Sequence, residues 1–165
     1  MKVLVLSCST GEGHNSAGNA VLEYFTNKNV PCDMINAFSF VSDMTAKVLS
    51  HGHVFVYRNM PRLFGAGYRL EEKYPPKSFY KKMAKGAPGL YDFIQSGGYD
   101  TVVCSHIFAA MMLTECKRQF AADVLAYLLI TDYTCSPGVN MLDMDAYFIP
   151  HELLCAKFAD NGVDT

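Results

Sequence analysis

The chain has 165 residues, half of them hydrophobic and 18% charged, with a formal net charge of −2. That length is one domain's worth and buries enough surface to fold without staples. Six cysteines with no C-x-x-C pair give neither a disulfide framework nor a ligand-spaced zinc site.

Val3 to Leu6 is a short, continuous Val/Leu run, the pattern of a strand covered on both faces. Thr10, Gly11, Glu12 and Gly13 belong to a turn-rich loop. From His14 to about Asn27, Ala17, Ala20, Val21, Tyr24 and Phe25 recur at helical spacing. "VPCDMINA" predicts a second strand, and Phe38 to Tyr57 a loop followed by an apolar helical segment. Met60 to Gly89 carries four prolines, and its pattern fixes no element. Leu90 to Gln95 closes a helix before the turn "SGGYD".

A regular rhythm then returns. "TVVCS" reads as a strand, "HIFAAMMLTECKRQF" as a helix and "VLAYLLIT" as a strand. "DYTCSPGVNMLD" is a loop, "AYFIP" a strand and "HELLCAKFADNGV" a helix. Strands alternating with helices predict an α/β fold, an open, mostly parallel Rossmann-like sheet with helices on both faces. A further strand is expected just after Gly162, so the pattern reads as part of a longer protein.

No basic leader opens the chain, and the longest apolar stretch, Val124 to Ile130, is far short of the roughly 20 residues of a membrane span. A cytoplasmic, reduced protein without a transmembrane segment is the expectation. Cys8, Cys104 and Cys116 fall in core elements, where a free thiol behaves as a small hydrophobe.

Ligands of open α/β sheets bind beyond the carboxyl ends of the strands. Three segments converge there: Cys8 to His14, Ser105 with His106, and Thr131 to Tyr133. The start of the first helix offers unpaired N–H groups to a phosphate or oxyanion, and Gly11 and Gly13 allow a sharp turn and a close approach. A tight strand-to-helix turn alone explains the same glycines. The dinucleotide fingerprint fails because Ser16 stands where the third glycine belongs, and the P-loop fails for want of a lysine. Cys8 followed by five spacers mimics a phosphatase cradle, but His14 occupies the arginine position and the bidentate phosphoryl clamp is lost.

The stretch "STGEGHNSAGNAV" resembles the Ser-x-Gly-x-Gly-His-x-x-Ala loop that opens the monogalactosyldiacylglycerol synthase family. That family includes bacterial processive diacylglycerol glucosyltransferases and is distantly related to the enzyme that glycosylates lipid I. "DTVVCSHIFAA", "LLITDYTCSP" and "DAYFIPHELLCAKFADNGV" are similar to its later segments, in the same order and over essentially the whole chain. The resemblance implies the N-terminal half of a GT-B glycosyltransferase. Residues 1–165 would be the acceptor-binding domain, and a C-terminal nucleotide-sugar domain, absent from this chain, would complete the enzyme. It implies no cofactor, a UDP-hexose donor held mainly by that second domain, and an inverting hexosyl transfer to a lipid acceptor such as diacylglycerol. The piece alone would be inactive.

An inverting transfer needs a base for the acceptor hydroxyl, and a histidine titrating near neutrality suits it. The resemblance assigns that role to His14; Asp132, which follows a buried strand near the same cleft, is placed to orient His14 or the acceptor or to serve as the base itself. Gly11, Gly13, His106, Thr131 and Tyr133 become acceptor-site residues. The plainer readings stay open: His14 pointing to solvent, Asp132 bonding its own loop, and Ser105 capping the next helix.

Between His51 and Leu90 eight basic residues stand against two acidic ones, interleaved with aromatics. Such a mixture suits an anionic bilayer, which makes Phe55, Arg58, Arg62, Phe64 and Arg69 candidates for membrane contact at the cytoplasmic face. A solvated basic surface over core aromatics is the alternative. No nucleic-acid motif accompanies the charge. After "TDYTC" the chain lacks the aromatic that many relatives carry, and it has no tryptophan. Galactosyl and glucosyl transfer, and a polyprenyl-linked acceptor or a non-catalytic nucleotide- or lipid-binding module, therefore remain alternatives.

Overall fold

The computed structural model describes residues 1–8, 10–42 and 77–163. The segment with Phe55, Arg58, Arg62, Phe64 and Arg69, and the predicted helix running to Tyr57, lie outside the described residues. In chain order the elements are β1 (Val3–Ser7), α1 (Glu12–Asn27), β2 (Cys32–Asn36), α2 (Lys77–Ala84) and α3 (Ala87–Gly97). They continue with β3 (Thr101–Cys104), α4 (Ile107–Phe120), β4 (Leu125–Leu129), β5 (Ala146–Phe148) and α5 (Cys155–Asp160).

The five strands form one parallel sheet in the order β2-β1-β3-β4-β5. All five residues of β1 are buried, as its unbroken Val/Leu run predicts for a central strand covered on both faces. Successive side chains alternate between the faces. Leu4 and Leu6 enter the main core with Leu90, Ile94, Met112 and Leu113 of the α3–α4 layer. Val5, one residue out of phase, faces Gly18 of α1. Full burial of each of these large side chains stabilises the fold by about 1.5–3 kcal/mol. The α/β architecture with helices on both faces is thus as the sequence predicts.

Local chemistry sets the ends of the elements. Helix α3 stops at Gly98, whose φ of 66° is left-handed. There Gly98 N–H donates to Gln95 O and Tyr99 N–H to Ile94 O, closing the helix as a glycine terminator does. Helix α4 is capped by His106, whose Nδ1 accepts from Phe108 N–H at 3.0 Å. The predicted cap, Ser105, is instead turned beneath α1. The last predicted helix is interrupted: a 3₁₀ turn over Glu152–Leu154 precedes the short α5.

Strand β1 leads through α1 to β2 on one side and neighbours β3 on the other. The crevice beyond the carboxyl ends of β1 and β3 is therefore the topological switch point of the sheet.

Candidate active site at the carboxyl edge

Helix α1 begins at Glu12, two residues before the predicted start, so His14 lies in its first turn. Ser7 Oγ donates to Asn15 Oδ1 at 2.7 Å, tying that turn to the end of β1. Gly11 is the N-cap and supplies no side-chain cap. Its φ of 166° is extended backbone open to any residue, and Gly13 has ordinary helical backbone. The expected glycine-only turn is therefore not what these residues provide. A Cβ at Gly13 would meet nothing within 4 Å. Gly13 leaves room beside the helix start rather than bending the chain.

The half-buried His14 ring reaches across two more strand ends. Its Nδ1 is 2.9 Å from the main-chain oxygen of Ser105, just beyond β3. The hydroxyl of Thr131, just beyond β4, is 2.9 Å from the same nitrogen. The His106 ring meets it edge to face, with centroids 4.4 Å apart. His14, His106, Thr131 and Asp132 all line one small cavity of about 30 Å³, on the scale of a water or two. That suits the tip of a hydroxyl group, not a whole sugar.

All three sequence segments singled out for this edge thus meet around one imidazole. Asp132 is exposed and lines the cavity, but among the described residues it makes no hydrogen bond to His14. Tyr133 is 75% exposed and stands outside the cavity. Two contributors escape a reading of the sequence. Ser136 and Val139 close the cavity from the loop after β4, and their only signal was membership of that loop. Ser105 acts through its backbone, which leaves no mark in the side-chain pattern.

Ser105 Oγ is fully buried and has no hydrogen-bond partner among the described residues, as is also true of Thr10 Oγ1. Ser105 Oγ would stand 3.4 Å from a Cβ on Gly18, which locates it under α1. Cys8 and Cys104 are wholly buried, and burial pushes both thiols far above their ordinary range. They are packing groups, not nucleophiles. Among the described residues no three His, Cys, Asp or Glu side chains gather to hold a metal ion. No described helix is long and apolar enough to cross a membrane.

The family model of monogalactosyldiacylglycerol (MGDG) synthase matches residues 14–165. No curated protein and no solved structure matches the chain.

Proposed function

Since the chain belongs to the monogalactosyldiacylglycerol synthase family, a family of glycolipid glycosyltransferases, we propose that it is the acceptor-binding domain of an inverting hexosyltransferase acting on diacylglycerol. A second domain supplies the nucleotide-sugar site, the domain alone lacks turnover, and the enzyme works at the cytoplasmic face of the membrane. The family match and the order of the four sequence segments support this reading.

His14 is the base. Its Nε2 takes the proton of the acceptor hydroxyl as that oxygen bonds to the anomeric carbon of the hexose. The bond from that carbon to the diphosphate breaks on the opposite side, and its electron pair leaves with the nucleotide. The anomeric configuration inverts. The single observation that carries this role is the imidazole at the switch point, held from the ends of two strands beside a cavity sized for a hydroxyl group. Asp132, on the rim of that cavity, orients the acceptor, and Gly13 leaves space for its glycerol end. The exposed Tyr133 contacts the acceptor farther out.

The test is transfer from UDP-hexose to diacylglycerol in vesicles by the complete transferase, with the product anomer read by NMR. His14→Ala is expected to lower kcat by about 10²–10⁴-fold, the usual contribution of a general base. Full activity of His14→Ala with an inactive Asp132→Asn would reassign the base. Preference for a polyprenyl-linked acceptor would reassign the substrate.

A further inference from the structure

We infer that Thr131 and the main-chain carbonyl of Ser105 hold His14 in its Nδ1–H tautomer, leaving Nε2 as the ring's proton acceptor, and that Thr131 is a positioning residue of the reaction. The inference rests on the reading of His14 as the base and says how that base is aimed.

A carbonyl oxygen has no proton to give. The 2.9 Å contact between Nδ1 and Ser105 O is therefore a hydrogen bond only when Nδ1 carries the proton. Thr131 Oγ1, also 2.9 Å from Nδ1, accepts the second branch of a three-centre bond. With Nδ1 protonated, the lone pair of the neutral ring is on Nε2. Free imidazole side chains favour the opposite tautomer, so this selection comes from the protein.

The same contacts fix orientation. A half-turn of the ring would put Cδ2 where Nδ1 now sits and forfeit both bonds. The ring of His106, 4.4 Å away at 73°, walls one side. Ser105 and Thr131 follow different strands, so the ring is referenced to β3 and β4 together while its own backbone belongs to α1. Both acceptors at Nδ1 are uncharged, and they suit the ring before and after Nε2 takes a proton. The usual carboxylate partner of a catalytic histidine is replaced here by two dipoles.

Two measurements test this. In the 165-residue chain, long-range ¹H–¹⁵N correlation of His14, recorded where the ring is neutral, is expected to show a pyrrole-like Nδ1 and a pyridine-like Nε2. An Nε2–H pattern overturns the inference. In the complete transferase, Thr131→Val is expected to lower kcat about 10-fold or more with the acceptor KM unchanged, as misplacement of a reacting group does, and Thr131→Ser to restore most of it. A raised acceptor KM with intact kcat would make Thr131 a substrate ligand and overturn the inference. Loss of activity in His14→Ala combined with a silent Thr131→Val sinks the positioning role alone. Full activity of His14→Ala sinks the base itself, whereas the tautomer measurement stands apart from either result.

Discussion

The rings of His14 and His106 meet edge to face, with centroids 4.4 Å apart and planes at 73°. His106 has two tasks in that pose. Its Nδ1 caps α4 by accepting from Phe108 N–H, and its ring confines the imidazole of His14. Substitution can separate them. His106→Ala removes both and is expected to cost at least about 1 kcal/mol, the usual loss for an N-cap. His106→Asn keeps an acceptor at the cap, so its melting temperature should stay close to the wild-type value. Its kcat should still fall several-fold, because the wall against His14 is gone. An Asn variant with unaltered kcat would show that the ring contact has no part in the reaction.

Gly13 offers a second separation of fold from function. Its backbone is helical and a Cβ there would meet open space. Gly13→Ala should therefore fold normally and gain up to about 1 kcal/mol from helix propensity. If the acceptor's glycerol end uses that space, the same variant raises the acceptor KM. Thermal melts and acceptor saturation curves measure the two effects independently. A more stable enzyme with unchanged KM would move the acceptor away from the helix start.

The fold was legible where one physical signal dominates. The unbroken apolar runs of β1 and β3 required strands covered on both faces, and both strands are fully buried. The glycines before Tyr99 required a chain reversal, and Gly98 makes it in left-handed backbone. Legibility failed where two local signals competed. Ser105 and His106 both stand before α4, and serine is the commoner cap. Yet Ser105 continues the alternation of β3 and is carried under α1, leaving His106 to accept the first free N–H. The convergence of His14, His106 and Thr131 was readable from their positions after strands. The hold on Nδ1 was not, because one of its acceptors is a backbone carbonyl.

Two glycines near the start of α3 predict opposite outcomes from one kind of substitution. A Cβ on Gly86 would lie 2.6 Å from Met112 Cε, 2.9 Å from its Sδ and 3.1 Å from the main-chain oxygen of Phe40. The methionine end can swing aside, but the backbone oxygen cannot. Gly86→Ala is expected to destabilise by about 1–3 kcal/mol, as overpacking does. A Cβ on Gly89 would meet only Phe40 Cδ1 at 3.4 Å, an ordinary contact. Gly89→Ala, inside the same helix, should stabilise by up to about 1 kcal/mol. Urea unfolding of both variants decides the matter, and a shift of the same sign in each would contradict this packing.

Alkaline pH probes the core directly. Burial, assisted by nearby Glu115, pushes the Cys116 thiol from its ordinary 9.0 up to about 12. Burial and the bond to Asp33 push Tyr99 from 10.0 to about 12. An acid whose pKa is raised on folding holds its proton in the native state after the unfolded chain has lost it. The unfolded state then binds fewer protons, and stability falls as pH rises. The contribution of these groups is complete below about pH 9 and is lost progressively toward 12. Chemical denaturation from pH 7 to 12 should therefore give a plateau followed by a decline that begins near 9. Thiol labelling supplies a residue-level check. At pH 8 the native protein should react at the half-buried Cys32 and Cys155, whereas Cys8, Cys104, Cys116 and Cys135, all buried, label only in denaturant. Rapid modification of Cys116 under native conditions would mean that the α3–α4 layer opens far more readily than its packing implies.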